Sequence, residues 1–104
     1  MRLALDDDLR LARAVSEAAL TTEGVYALGT GRYAEAATYG PGEKVAGVVV
    51  NSNEVIVHII ARYPPPESLL ALAERIRERV ELRAQGRATT VVVEDVEVSP
   101  VANI

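Results

Sequence analysis

One change of hydrophobic period, at Pro64-Pro65-Pro66, limits what this chain can fold into more than any other feature. Before it, Val55-Ile-Val-His-Ile-Ile-Ala-Arg-Tyr63 is dominated by β-branched residues, which favour a pleated, buried strand. Proline has no N–H and a fixed φ, so it cannot continue a central strand but can open a helix. From Leu69 the apolar residues recur every three to four positions, at Leu69, Leu72, Ala73, Ile76 and Val80, which predicts an amphipathic helix.

At 104 residues the chain has the length of one domain, read here as residues 1–104, with one modest core. It has no Phe, Trp or Cys, so Val, Ile, Leu and Ala must supply the buried area, and neither a disulfide nor a thiolate metal site can form. The formal charge is −4 and Lys44 is the only lysine, a poor basis for the clustered cations that bind nucleic acid. No apolar run approaches the ~20 residues needed to span a bilayer, and no signal-peptide core opens the chain. The expectation is a cytoplasmic protein without direct membrane insertion.

Arg2 to Leu5 reads as a short opening strand, and Asp6-Asp7-Asp8 suits the positive end of a helix. In that helix Leu11, Ala12, Val15, Ala18 and Ala19 share one face, and it ends near Leu20 to Thr22. Glu23-Gly24 turns into a strand over Val25 to Leu28. Gly29 to Gly47 is a long, less regular excursion, with room for a short strand or helical turn. Val48 to Val50 and the strand from Val55 flank Asn51-Ser52-Asn53-Glu54, a hairpin connection. Gly86 fits the left-handed position after a helix, and Thr89 to Val98 forms the last strand. The predicted fold is α+β, a (β)αβββαβ two-layer sandwich with two helices on one face of a small, mainly antiparallel sheet.

This order of motifs resembles the alkaline-shock, Gls-type envelope stress response family of bacteria. The likeness is carried by the helix ending in Glu23-Gly24-Val25, the glycine-rich excursion, the valine hairpin, Tyr63 with its proline break, the Leu-Ala-Glu-x-Ile-Arg helix and the closing Val-Val-Val-Glu-Asp-Val96. The resemblance implies a small α+β protein without enzymatic activity or cofactor. It also implies self-association, and gathering at the inner side of the membrane through a membrane-anchored protein partner.

Chemistry-bearing residues are sparse. His58 is the only histidine and lies mid-strand, where it could serve as a base or pH sensor but has no second His or Cys for a metal cluster. Ser52 and Ser68 occupy a turn and a first helical turn, positions that favour serine for backbone reasons. Asp6 to Asp8 cannot converge on one cation, which needs spaced oxygen ligands. Gly29-Thr30-Gly31 and Gly40-Pro41-Gly42 lack the rest of any nucleotide loop. Tyr33 and Tyr39 offer rigid apolar area with a hydroxyl, a combination favoured at interfaces. Arg75, Arg79 and Arg83 form a stripe on the second helix beside a glutamate-lined face where Arg77 pairs with Glu81, and the whole is read as a solvated face.

One feature points to function. Val55, Val57, Ile59 and Ala61 face one side of their strand, while Ile56, His58, Ile60 and Arg62 face the other, and helices on one side cannot cover both. Either the 29–47 excursion covers the second face, or another subunit or partner does. The leading expectation is a non-enzymatic homo-oligomer with Ile56, His58, Ile60, Tyr33 and Tyr39 as interface candidates. The alternative is a ligand-binding module or enzyme with its site between the excursion and the sheet.

Overall fold

The computed structural model describes residues 6–31 and 35–98; the opening strand expected at Arg2 to Leu5 and Tyr33 lie outside them. The elements run α1 (Asp6–Leu20), β1 (Val25–Leu28), β2 (Ala37–Gly40), β3 (Glu43–Ala46), β4 (Val48–Val50), β5 (Glu54–Tyr63), α2 (Leu69–Glu81) and β6 (Ala88–Val98). This is the expected α+β arrangement, with one addition. The excursion holds its own hairpin, β2–β3, paired from Ala37 with Ala46 to Gly40 with Glu43.

β5 is the centre of the main sheet. β1 and β4 lie end to end along one side of it, pairing antiparallel with Ile59 to Ala61 and with Val55 to Val57. His58 spans the junction: its C=O accepts the Gly29 N–H and its own N–H donates to the Gly47 carbonyl, each at 2.8 Å. β6 pairs along the other side of β5, parallel to it, with α2 as the crossover. The β5–β6 ladder is the one parallel pairing among the described strands; the other three are antiparallel. Asn51 closes the β4–β5 hairpin by accepting the N–H groups of Asn53 and Glu54 on its side-chain oxygen.

Both helices cover the same face of the main sheet. Val55, Val57, Ile59 and Ala61 are fully buried there against Ala12, Val15 and Ala19 of α1 and Leu72, Ile76 and Val80 of α2. Each large aliphatic side chain so buried contributes roughly 1.5–3 kcal/mol. α1 meets its neighbours through alanines, which lets its backbone come close. The β2–β3 hairpin also packs on α1: Leu9 lies against Gly40, Arg13 pairs with Glu43, and buried Thr38 donates its hydroxyl to the Val48 carbonyl at 2.6 Å.

Helix α2 starts on Ser68, whose hydroxyl accepts the Ala71 N–H at 3.0 Å, so this serine is the N-cap rather than part of the first turn. Gly86 takes the left-handed φ expected of it, +83°, but does not end the helix: α2 stops at Glu81 with Leu82 as a right-handed cap, and Gly86 follows Gln85 in the turn before β6. The reading of the arginine stripe as solvated holds for exposed Arg83 but needs correction at Arg75 and Arg79. Arg79 donates to the Ala18 carbonyl and the Thr21 hydroxyl, and Arg75 donates to the Glu23 carbonyl. The end of α1 has no basic residue of its own, and a cation near its free carbonyls is favourable. Arg77, by contrast, pairs on the surface with Glu74 and Glu81, and its hydrogen bond to Glu74 is the largest cause raising its pKa. Asp8 also works across elements, lying 3.6 Å from Arg87, the residue just before β6.

Candidate functional site

The face of the sheet opposite the helices is built on Ile56, His58 and Ile60, all half-buried, as their alternation predicts. Strand register sets their neighbours: Val49 and Thr90 flank Ile56, Val92 lies beside His58, and Ala27 and Asp95 flank Ile60. None of these belongs to the core cluster under the helices. The β2–β3 hairpin lies on the α1 side, so it does not cover this face.

A bulge in β6 gives the face its polar centre. Ile59 pairs with Val93 and Ile60 with Asp95, leaving Glu94 as the extra residue. Its side chain crosses β5, where Oε2 lies 2.6 Å from His58 Nδ1 and accepts the Gly31 N–H at 2.6 Å. A carboxylate only accepts, so in this bond the proton sits on the imidazole Nδ1. The two side chains are 17% and 21% exposed. Gly29 makes the approach possible, since a Cβ there would stand 2.2 Å from Glu94 Oε1. Gly31, Glu35, His58, Val92 and Glu94 line a shallow depression of about 450 Å³.

The arrangement can orient one imidazole and hold one carboxylate in a mostly desolvated place. Among the described residues no group of three His, Cys, Asp or Glu side chains is placed to hold a metal ion. Of the candidates read from sequence, Ile56, His58 and Ile60 come together here. Tyr39 does not: it is 51% exposed on β2, with Lys44 Nζ 5.9 Å from its ring centre, on the hairpin that packs on α1. Sequence reasoning missed Glu94 and Gly31. The available signal was Glu94-Asp95 directly after three valines, two adjacent acids that break a strict alternation and so mark a bulge.

A second surface lies beyond the start of α2, where Tyr63, Pro65, Leu69, Val96 and Val98 line an apolar groove of about 380 Å³. Tyr63 and Val98, paired across the β5–β6 ladder, are 53% and 62% exposed. No helix among the described residues is long and apolar enough to cross a membrane. No family model, no curated protein and no solved structure matches the chain.

Proposed function

We propose that this chain is a non-enzymatic protein of the bacterial envelope stress response that acts by assembly, burying the open sheet face around Ile56, His58 and Ile60 against further copies of itself. The observation that carries this is the two-sidedness of β5. Its odd-numbered residues from Val55 to Ala61 are fully buried, while Ile56 and Ile60 lie opposite, half-covered and outside the core. The two isoleucines gain from exclusion of water when another copy covers them, and the polar pair between them, His58 and Glu94, is already bonded within the chain. The resemblance noted in the sequence supports a cytoplasmic location, held at the inner side of the membrane by an anchored protein partner.

Light scattering during gel filtration, over a wide concentration range, tests the reading. The native chain should grow in mass with concentration, and Ile56→Asp with Ile60→Asp should reduce that growth. Native assembly by the doubly substituted chain would overturn the open-face reading.

The His58–Glu94 pair supports a second reading, a site for a small polar ligand in the depression beside Gly31. It predicts a ligand that raises the melting temperature in a saturable way and loses that effect in Glu94→Gln.

A further inference from the structure

We propose that the free edge of β6 is where two copies of this chain first join, antiparallel about a two-fold axis passing between Val93 and Glu94. The inference rests on the reading that the chain acts by self-assembly, and it assigns the first contact to a different surface from the open face.

Among the described residues β6 pairs only with β5, so its other side carries no strand among them; of its backbone groups there, the Val96 N–H is held by Asp95 Oδ1 at 2.7 Å. At 11 residues it is the longest strand of the sheet, against four and three for β1 and β4 on the opposite side. From Ala88 to Val93 it has neither charge nor proline, the usual guards of an exposed edge. Its acids, Glu94, Asp95 and Glu97, all lie in the second half. Parallel in-register pairing of two copies would set acid against acid, whereas antiparallel pairing sets the acidic half against the neutral half.

The bulge selects the register. Paired residues of adjacent strands must point to the same side of a sheet. On β6 Val91 lies on the helix side and Val92 on the open side; beyond Glu94 the order resumes with Asp95 on the open side and Val96 on the helix side. An antiparallel register that respects both halves opposes Val91 to Val96, Val92 to Asp95, Thr90 to Glu97 and Thr89 to Val98 of the second copy. No acid then faces an acid across these four pairs. Near the axis each Glu94 carboxylate is already drawn across its own β5 to His58 and Gly31.

Two consequences favour a second copy as the occupant. Val96 and Val98 belong both to this edge and to the apolar groove, so Val91 and Thr89 of the second copy would close the groove's open end. The two open faces would also become one continuous surface carrying Ile56 and Ile60 twice, the surface on which further assembly is proposed.

The chain has no cysteine, so paired cysteines report the register directly. Residues opposed in an antiparallel ladder have Cα atoms about 4.5–5.5 Å apart. Position 90 of one copy would lie roughly 20 Å or more from position 90 of the other along the strand, too far for a disulfide. Thr90 and Glu97 are both exposed. Under mild oxidation the Thr90→Cys/Glu97→Cys chain should form a covalent dimer at least ~10-fold more than either single variant. Val92→Cys/Asp95→Cys should behave alike, which guards against a folding defect in the first pair. The cross-link should persist in the Ile56→Asp/Ile60→Asp background. If the native chain self-associates but neither pair cross-links above its single variants, the edge proposal is overturned and the assembly reading stands. If the native chain is a monomer at every concentration, both fall.

Discussion

Placing a methyl group at Gly29 tests the polar centre of the open face with a change of sign rather than of size. The three atoms nearest an added Cβ all belong to the Glu94 carboxylate, the closest at 2.2 Å, so Gly29→Ala must displace that carboxylate. Displacement removes the bonds to Gly31 N–H and to His58 Nδ1. Hydrogen bonds to a charged group contribute about 1.5–3 kcal/mol each, and water recovers part of that at a side chain 21% exposed. We take the loss as roughly 2–3 kcal/mol for the two together. Gly29 has no positive φ, so alanine fits its backbone and restricts the unfolded chain, a stabilisation of about 0.4–1 kcal/mol. The net expectation for Gly29→Ala in the native background is a destabilisation of about 1–2.5 kcal/mol. In a Glu94→Ala background the obstacle is gone, and the same substitution should stabilise by about 0.4–1 kcal/mol. Urea unfolding of the four chains, with m unchanged, measures both differences. The same sign in both backgrounds would refute the account.

Two further outcomes follow from the packing. Arg79→Met should cost about 1–2 kcal/mol, because it removes the bonds to Ala18 O and Thr21 Oγ1 at the end of α1, whereas surface-paired Arg77→Gln should leave the midpoint nearly unchanged in the same unfolding assay. Ile76→Ala, at a fully buried position between α2 and the sheet, should cost about 2–5 kcal/mol by thermal or urea unfolding, and a loss below about 1 kcal/mol would mean that the core is not packed as described.

Much of the fold was legible because it depends on local periodicity. The alternation over Val55 to Ala61 names four fully buried residues, and the three-to-four spacing on α2 names three, Leu72, Ile76 and Val80, while Leu69 at its start is exposed and Ala73 half-buried. Asn51 to Glu54 and Gly86 were legible because turn chemistry is local. What escaped depends on partners distant in sequence. Nothing near Arg79 reports that Ala18 O lies beside it, so a clamp between helices reads as a surface stripe. The site was half legible. Alternation brought Ile56, His58 and Ile60 to one face, but the partner of His58 depends on the register between β5 and β6 and on a one-residue bulge. Tyr39 failed as a neighbour of that face because the excursion forms its own hairpin against α1.

The junction at His58 has a consequence for what the chain can tolerate. Seen from β5, Val25 to Val50 is one edge strand interrupted by a detour that leaves at Gly29 and returns at Gly47, both ends held by the same residue's backbone. The ends are already together, so lengthening the detour adds little closure entropy, about 0.6 kcal/mol for each doubling of a flexible loop. Its outermost turn, Pro41-Gly42, has open space around Gly42. That turn is the natural graft point of the molecule: a tag, a fluorescent domain or an anchoring peptide inserted there would leave the seam on β5, the open face and the edge of β6 unaltered.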